Sequence, residues 1–249
     1  MHVTSIKTEK ILPNTTRITT ILDTYLPNIS EPTLIVITSK IVAMCEGSVL
    51  PVGSHTKNEL AQKEADLYIS SQKSKYDVTL TIKNNLLIPS AGIDESNSNG
   101  HFIFWPKDPQ QSANAAREFL VKKYPHTPIG VIISDSKTTP LRWGTTGTSI
   151  AHSGFMAIND FIGKPDIFGR HLAMTKVNVV DALACAAVLQ MGESNEQTPL
   201  AVITDVPFVQ FQHRNPTQEE LDSLQIDLEY DIYAPLLNSV YWIKKPTVS

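Results

Sequence analysis

The stretch Gly130-Val131-Ile132-Ile133-Ser134-Asp135-Ser136 decides the fold class of this chain. It opens with a short apolar run, which is typical of a buried strand, and it turns polar without a spacer. A second run of the same kind, Leu34-Ile35-Val36-Ile37, predicts another buried strand earlier in the chain. We expect the polar triplet Ser134-Asp135-Ser136 to lie where its strand ends.

The remaining predicted elements are mixed in order along the chain. Apolar residues at helical spacing predict a helix over residues 178–191, which Gly192 ends as a C-terminal glycine does. The other predicted elements, in chain order, are a helix over 55–71, two strands around the turn Asn84-Asn85 within 78–88, a loop over 89–100, a strand over 101–105, a helix that Asp108 or Ser112 caps and that extends to Tyr124, and a strand over 200–204. Strands and helices do not alternate regularly, so we predict an α+β fold (mixed α/β) rather than a doubly wound one. Because the linkers are short, residues 1–249 are predicted to form a single unit, with two lobes as the alternative.

Composition is that of an ordinary globular protein. Of 249 residues, 41% are hydrophobic and 18% charged, and the formal net charge is -4. This acidic balance argues against a general nucleic-acid surface, which requires a basic excess. Residues 1–10 are polar and no apolar run is long enough to span a bilayer, so we expect a cytoplasmic protein without a membrane partner. The two cysteines, Cys45 and Cys185, are expected to be reduced, buried thiols.

Several polar residues leave two explanations open. No phosphate-binding Gly-x-x-x-x-Gly-Lys-Ser/Thr motif is present, and Gly144-Thr145-Thr146-Gly147 is better explained as an ordinary loop than as an anion cradle. Arg142 and Arg170 lie in polar, glycine-containing surroundings, where an arginine holds phosphate or forms a surface ion pair. The histidines show no His-x-x-x-His pair, so no zinc site is expected, and His152 and His171 are predicted to be loop residues.

Loop segments rich in carboxylates and hydroxyls are the stronger chemical signal. Asp94 and Glu95 lie in Gly92-Ile93-Asp94-Glu95-Ser96-Asn97, Asp135 is flanked by serines, and Glu193 follows the long helix. Oxygen ligands of this kind suit Mg²⁺ or Mn²⁺. Taken singly, each segment is better explained by an Asx-type turn or a helix cap. The residues alone therefore leave a metal–phosphate site as one of two explanations.

The same loops resemble a known family. Ser90-Ala91-Gly92-Ile93-Asp94-Glu95-Ser96-Asn97 resembles the Ala-Gly-Ile-Asp-x-Ser-Asn segment of the coenzyme F420-0 gamma-glutamyl ligases, and Ile132-Ile133-Ser134-Asp135-Ser136 resembles their Ile-Ile-Ser-Asp-Thr. Further matching segments, in the family's order, are Thr38-Ser39-Lys40 to Glu46-Gly47, Pro106-Lys107-Asp108-Pro109 with Ser112-Ala113, Asp166-Ile167-Phe168-Gly169-Arg170, and Asp181 to Glu193. The resemblance covers residues 12–203, most of the chain, and its ordered matches make it specific.

The resemblance implies the family's fold, an intertwined homodimer, and an enzyme that joins L-glutamate to a cofactor carboxylate. The implied reaction uses GTP or ATP and passes through an acyl phosphate. Catalysis is implied at Asp94, Asp135 and Arg142. Two divalent ions, Mg²⁺ or Mn²⁺, are implied at Asp94, Asp135, Ser136 and Glu193, with K⁺ as a further candidate ion. The implied nucleotide contacts are Leu12, Pro13, Ser39, Lys40, Asn97, Met191, Gly192, Ser194, Asn195 and Glu196.

Two departures from the family pattern bear on the substrate. Where the family commonly has Ser-Lys-Ala-Glu-Gly, this chain has Ala43-Met44-Cys45-Glu46-Gly47, so Met44 replaces a phosphate-facing lysine. After Asp135, the family's Thr-x-Gly-Arg-Pro-Trp-Arg becomes Ser136-Lys137-Thr138-Thr139-Pro140-Leu141-Arg142. The second change favours an altered acceptor, with folate as the first candidate and coenzyme F420-0 as the next. The first change motivates an alternative from another class, a non-catalytic nucleotide-binding module.

Overall fold

The computed structural model describes residues 1–245. The strands are β1 His2–Ile6, β2 Thr33–Thr38, β3 Val49–Pro51, β4 Leu67–Ile69, β5 Leu80–Lys83, β6 Leu86–Pro89, β7 His101–Ile103, β8 Ile129–Thr138, β9 Thr145–Ser153, β10 Ile158–Asp160, β11 Lys176–Asn178, β12 Leu200–Thr204 and β13 Ile243–Lys244. The α-helices are α1 Ile18–Tyr25, α2 Ser39–Glu46, α3 Lys57–Glu64, α4 Pro109–Lys123, α5 Val179–Met191, α6 Gln218–Asp222 and α7 Ala234–Leu237, and single 3-10 turns occupy Ser71–Lys73 and Ser90–Gly92. The predicted mixed fold with several sheets is confirmed.

A five-stranded sheet in the order β1-β12-β2-β8-β9 forms the centre of the molecule. β2 and β8 are parallel, and the other neighbouring pairs are antiparallel. Leu34 and Val36 belong to the core that α5 covers on one face, whereas Ile35 and Ile37 belong to the core beneath α1, α2 and α4 on the other. Successive side chains of a strand point to opposite faces, so the continuous apolar run of β2 supplies both cores.

Both long helices begin with the caps that their sequences favour. Asp108 accepts a hydrogen bond from the backbone N–H of Gln111 at 2.8 Å, and Pro109 occupies the first turn of α4. Asn178 caps α5 in the same way, and Gly192 ends it with φ of 83°. The predicted helix over 178–191 is therefore confirmed, and Asp108 rather than Ser112 caps α4.

A second sheet, in the order β13-β4-β5-β6, lies outside the central one. The predicted pair of strands around Asn84-Asn85 is confirmed, because both asparagines adopt the positive φ that a tight hairpin turn needs. The predicted helix over 55–71 is wrong beyond Glu64, where Ala65 is extended and Leu67–Ile69 pairs with β5 as a strand. Pairing with a neighbouring strand overrides the local helical pattern at this point.

The predicted strand over 130–133 is longer than its apolar run. A β-bulge between Ile133 and Ser134 shifts the register, and the polar triplet continues within β8, paired with β9. The expectation that the triplet ends its strand is wrong for this reason. Gly147 and His152 also lie in β9 rather than in loops, and His152 is buried, with its ring 5.4 Å from that of Phe155.

The cysteines are free and partly buried, and burial raises the pKa of the Cys45 thiol to about 11. The Sγ of Cys185 donates to the carbonyl of Gly147 at 2.9 Å. Among the helices described over residues 1–245, none has both the length and the apolar composition needed to cross a membrane.

Candidate active site

The candidate site lies where β2 ends beside β8. Thr38, the last residue of β2, pairs with Ser134, and α2 begins immediately afterwards at Ser39. β8 continues to Thr138 with β9 as its neighbour, so its polar half projects past the end of β2. In sheets with parallel strands, ligands bind outside the carboxyl ends of the strands. The fold therefore brings the polar triplet of β8 and the start of α2 to one edge.

Asp135 is held in one orientation by two donors. The indole Nε1–H of Trp105 donates to its Oδ2 at 2.5 Å, and the backbone N–H of Ser136 donates to its Oδ1 at 2.9 Å. Burial raises the pKa of Asp135 to about 6, and the nearby negative charge of Asp94 adds to this, whereas both hydrogen bonds oppose it.

Asp94 is brought to the site by a constrained loop. The 3-10 turn Ser90–Gly92 contains positive φ angles, and Gly92 packs so closely on Trp105 that a Cβ there would lie 2.1 Å from the indole Nε1. Asp94 then accepts hydrogen bonds from the N–H and hydroxyl of Ser96 at 2.8 and 2.9 Å. Only glycine allows this approach of the loop to the indole.

Lys40, from the first turn of α2, supplies the positive charge of the site. Its Nζ lies 2.6 Å from Oδ2 of Asp94 and donates to the carbonyl and hydroxyl of Ser96, each at 3.1 Å. Burial by itself raises the pKa of Asp94, but the hydrogen bond and charge of Lys40 outweigh it and hold that pKa below its usual range. Asp94 is therefore an ionised carboxylate at neutral pH.

Glu193 completes the acidic group from a different part of the chain, directly after the end of α5. Burial raises the pKa of Glu193, and the charges of Asp94 and Glu196 act in the same direction. A hydrogen bond with Ser136 and the charge of Lys40 oppose the shift. The charge of Asp94 thus acts on both Asp135 and Glu193, and the ammonium group of Lys40 opposes the pKa shift of each.

The oxygen donors of the site suit a divalent ion of the kind that also binds phosphate. Asp94, Asp135, Glu193 and the Ser136 hydroxyl offer only oxygen ligands, which Mg²⁺ and Mn²⁺ prefer. Within residues 1–245, no group of three or more His, Cys, Asp or Glu side chains lies close enough to hold an ion alone. Mg²⁺ is usually held by one or two carboxylates together with waters and substrate phosphates, and this arrangement is compatible with that mode. The Lys40 ammonium meanwhile neutralises Asp94.

A cavity of about 600 Å³ opens over these groups, a size that suits a nucleotide or a cofactor fragment. The sequence-predicted site residues that line it are Leu12, Ser39, Lys40, Asp94, Asn97, Asp135, Ser136, Met191, Gly192, Glu193, Ser194, Asn195 and Glu196. Asn97 also ties two walls together, because its Nδ2 donates to the carbonyl of Ser194 at 2.7 Å. These predicted site residues come from segments that are remote in sequence, and they converge at one cavity.

Two predicted site residues do not line this cavity. Pro13 lies beside it, next to the lining residue Leu12. Arg142 lies on the exposed turn between β8 and β9, where its N–H donates to the carbonyl of Thr139 at 3.2 Å. Met44, at the position where the resemblance implies a lysine, is buried and forms part of the cavity wall.

Sequence reasoning missed two contributions to the site. Residues 8–10 line the cavity, although their sequence carries no motif. The sequence predicts Trp105 only as a strand residue, yet its indole contacts both the Asp94 loop and Asp135 of β8. Its position directly before the matching Pro106-Lys107-Asp108-Pro109 segment was the one available signal.

Comparison with known proteins identifies the family of the chain. The family model described as F420-0:Gamma-glutamyl ligase matches residues 5–205. A protein of Methanocaldococcus jannaschii named coenzyme F420:L-glutamate ligase is 34% identical over 72% of this chain and 79% of its own length. A protein of the same name from Methanothermobacter thermautotrophicus is 32% identical over 70% of this chain and 75% of its own.

A relative from Methanococcus maripaludis, also named coenzyme F420:L-glutamate ligase, is 38% identical over 50% of each chain, so this match spans about half the length of the relative. The family model by contrast includes the end of β1, the Asp94 loop, the polar half of β8 and β12. The chain belongs to the F420-0:Gamma-glutamyl ligase family.

Proposed function

We propose that this chain is a ligase that forms an amide bond between L-glutamate and the carboxylate of a cofactor, at the expense of GTP or ATP. The observation that carries the proposal is the convergence of Asp94, Asp135, Ser136 and Glu193 around Lys40 at the cavity. The names of the relatives support the choice of L-glutamate as one substrate.

The proposed reaction has two transfers in which atoms balance. The acceptor carboxylate attacks the γ-phosphorus, which gives an acyl phosphate and the nucleoside diphosphate. The amine of L-glutamate then attacks the acyl carbon, the amine proton is released, and inorganic phosphate leaves. Asp94, Asp135, Ser136 and Glu193 would hold the two divalent ions, which would supply charge neutralisation for the phosphate oxygens.

The chain's own residues orient the reactants. Lys40 is placed to exchange its contact with Asp94 for a phosphate oxygen, because its flexible stem starts at the cavity edge. Asn97 and the loop from Gly192 to Glu196 form the wall that would hold the nucleotide. Met44 makes part of the wall apolar, so phosphate contact there must come from other residues.

The acceptor is proposed to be folate or a coenzyme F420-0 type molecule. Folate is favoured by the changed stretch after Ser136, which lies on the β8–β9 hairpin and ends in the exposed residues Pro140, Leu141 and Arg142. Coenzyme F420-0 is favoured by the names of the relatives.

The test is phosphate release by purified protein with Mg²⁺, L-glutamate and GTP or ATP, with tetrahydrofolate and F420-0 assayed in parallel. The expected result is release that requires both glutamate and one acceptor, with a product heavier by one glutamyl residue in mass spectrometry. A matched reaction with D-glutamate controls for uncoupled hydrolysis. Release that ignores both acceptor and glutamate contradicts the proposal.

A second candidate, a non-catalytic nucleotide-binding module, is favoured by Met44 in the cavity wall. Tight binding of GTP or ATP without phosphate release for either acceptor would support it. Replacement of Met44 by lysine then separates the two, because recovery of turnover in Met44→Lys would identify the missing positive charge as the cause.

We further propose that the protein is a homodimer. Leu141 and Trp143 at the β8–β9 turn are 103% and 92% exposed, and Ile167 and Phe168 in the segment between β10 and β11 are 91% and 89% exposed. Large apolar side chains left in water are typical of surfaces that a partner covers. Light scattering is expected to give twice the monomer mass, and Trp143→Ser is expected to shift it toward the monomer. The exposed Tyr241→Ser is the control.

A further inference from the structure

Trp105 connects two acidic segments of the site, the Asp94 loop and strand β8. Its indole N–H donates to Oδ2 of Asp135, a residue 30 positions away in sequence, and Gly92 packs against the same nitrogen. The side chain is 3% exposed. The indole therefore touches the loop that carries Asp94 and the strand that carries Asp135.

The indole ring of Trp105 also contacts a cation. Nζ of Lys83 lies 5.3 Å from the ring centroid, and the same atom forms an ion pair with Oε2 of Glu64 at 2.8 Å. A cation against an indole face is attracted to the ring and polarises its N–H toward an anionic acceptor. Glu64, Lys83, Trp105 and Asp135 thus form a continuous chain of contacts that leads into the cavity.

The indole bond leaves Asp135 free to bind a ligand. Each carboxylate oxygen accepts more than one hydrogen bond, and the donors here use one position on Oδ1 and one on Oδ2. An apolar side chain of the same shape would fill the same space but would leave Oδ2 without this donor. The function of Trp105 in the site is therefore separable from its packing.

We propose that Trp105 is a positioning residue, whose indole N–H sets the orientation of the Asp135 carboxylate toward the cavity while Lys83, paired with Glu64, lies over the indole ring. The inference rests on the proposed function in one respect, that Asp135 binds a divalent ion. Loss of a hydrogen bond to a metal ligand typically costs about 10–100-fold in metal affinity or activity.

The sharpest test replaces Trp105 by benzothienylalanine, which has the shape of tryptophan with sulfur in place of the N–H group. Trp105→Phe serves as a second variant if the analogue is poorly tolerated. The matched control is the same replacement at Trp242, whose Nε1–H donates to the carbonyl of Leu237 at 2.8 Å. Mn²⁺ affinity is measured by electron paramagnetic resonance without nucleotide, alongside kcat, KM and Tm.

The expected result is about 10–100-fold weaker Mn²⁺ binding and a lower kcat at Trp105, with little change in the KM for nucleotide, and wild-type values at Trp242. A smaller loss in the same direction is expected for Lys83→Met, which keeps the indole but removes the cation behind it. Wild-type Mn²⁺ affinity and kcat in a folded Trp105 variant would overturn the inference.

The indole signals give a test that is independent of activity and of metal. The chain has three tryptophans, and the nitrogen-15 signal of Trp105 is identified by its loss in Trp105→Phe. Asp135→Asn is expected to shift this signal and to leave those of Trp143 and Trp242 in place. An unchanged signal would contradict the inference. If wild-type protein bound no Mn²⁺, the metal proposal would fail and this shift alone would decide the positioning role.

Discussion

The two halves of strand β8 have opposite functions. Ile129–Ile133 is fully buried, pairs with β2 and contributes to both hydrophobic cores. After the bulge between Ile133 and Ser134, the same strand carries Asp135 and Ser136 past the end of β2 and into the cavity wall. One strand therefore provides both a fully buried part of the core and a polar part of the site.

The contrast between the two halves of β8 explains why the site lies at the end of β2. A neighbouring strand on each side and helices on both faces leave no room for a ligand along the first half. Where β2 ends, that neighbour is replaced by the first turn of α2, and Lys40 then faces Asp94. Residues anchored in a packed strand but projecting past its neighbour are held in position by the core.

The largest effect is expected from a substitution in the polar half of β8. Asp135→Asn is expected to lower kcat/KM by about 10³-fold or more, because the neutral amide cannot provide the negative charge that binds a metal ion. The Tm should stay close to wild type. Asp222→Asn, an exposed residue in α6, is the matched control and should keep full activity. Near-normal turnover of Asp135→Asn would remove this residue from the site.

The second largest effect is expected from a substitution in the buried half of β8. Ile132→Ala is expected to lower the free energy of unfolding by about 2–5 kcal/mol, because Ile132 is fully buried and a cavity remains when its side chain is shortened. Urea denaturation measures the change, and the exposed Ile162→Ala is the control. Activity below the unfolding transition should be retained. A loss below about 1 kcal/mol would mean that this half of β8 is not tightly packed.

The stability of the buried half of β8 is expected to depend on pH. The reason is His152 of β9, which pairs with Ile132. Burial lowers the pKa of His152 to about 4, with Glu220 opposing the shift. Its pKa in the unfolded chain is about 6.5, so the unfolded state binds more protons between these values. Stability should therefore fall by up to about 3 kcal/mol as the pH drops from 6.5 to 4.

Urea titrations at pH 7 and pH 4.5 check this expectation. His152→Gln should reduce the difference between the two values, and the exposed His126→Gln should leave it unchanged. Equal pH dependence in His152→Gln and wild type would assign the effect to other groups.

The smallest expected effect concerns the turn beyond the polar half. Arg142→Ala should change the free energy of unfolding by less than about 0.5 kcal/mol, because the side chain is exposed. Turnover measured on the same variant tests the catalytic role that the resemblance implies. Lost turnover with unchanged stability would support that role, and unchanged turnover would remove Arg142 from the site.

Local signals in the sequence were sufficient for much of the fold. The apolar runs of β2 and β8, the cap of α4 at Asp108 and the C-terminal glycine of α5 each depend on a few neighbouring residues. The helix predicted after Glu64 was wrong, because the pairing of Leu67–Ile69 with β5 is a contact between remote segments rather than a local preference. The β-bulge that keeps Asp135 inside β8 was not predicted for the same reason, because it depends on pairing with β9.

The family, the mixed fold class and the acidic segments of the site could all be predicted from the sequence, since short ordered motifs carry them. The contact of Lys40 with Asp94, the hydrogen bond from Trp105 to Asp135 and the absence of Arg142 from the lining of their cavity follow from the tertiary structure alone. The physical reason is that a motif specifies which groups are present. The distances between groups from remote segments depend on how strands end and how helices pack against them, and no local pattern records that.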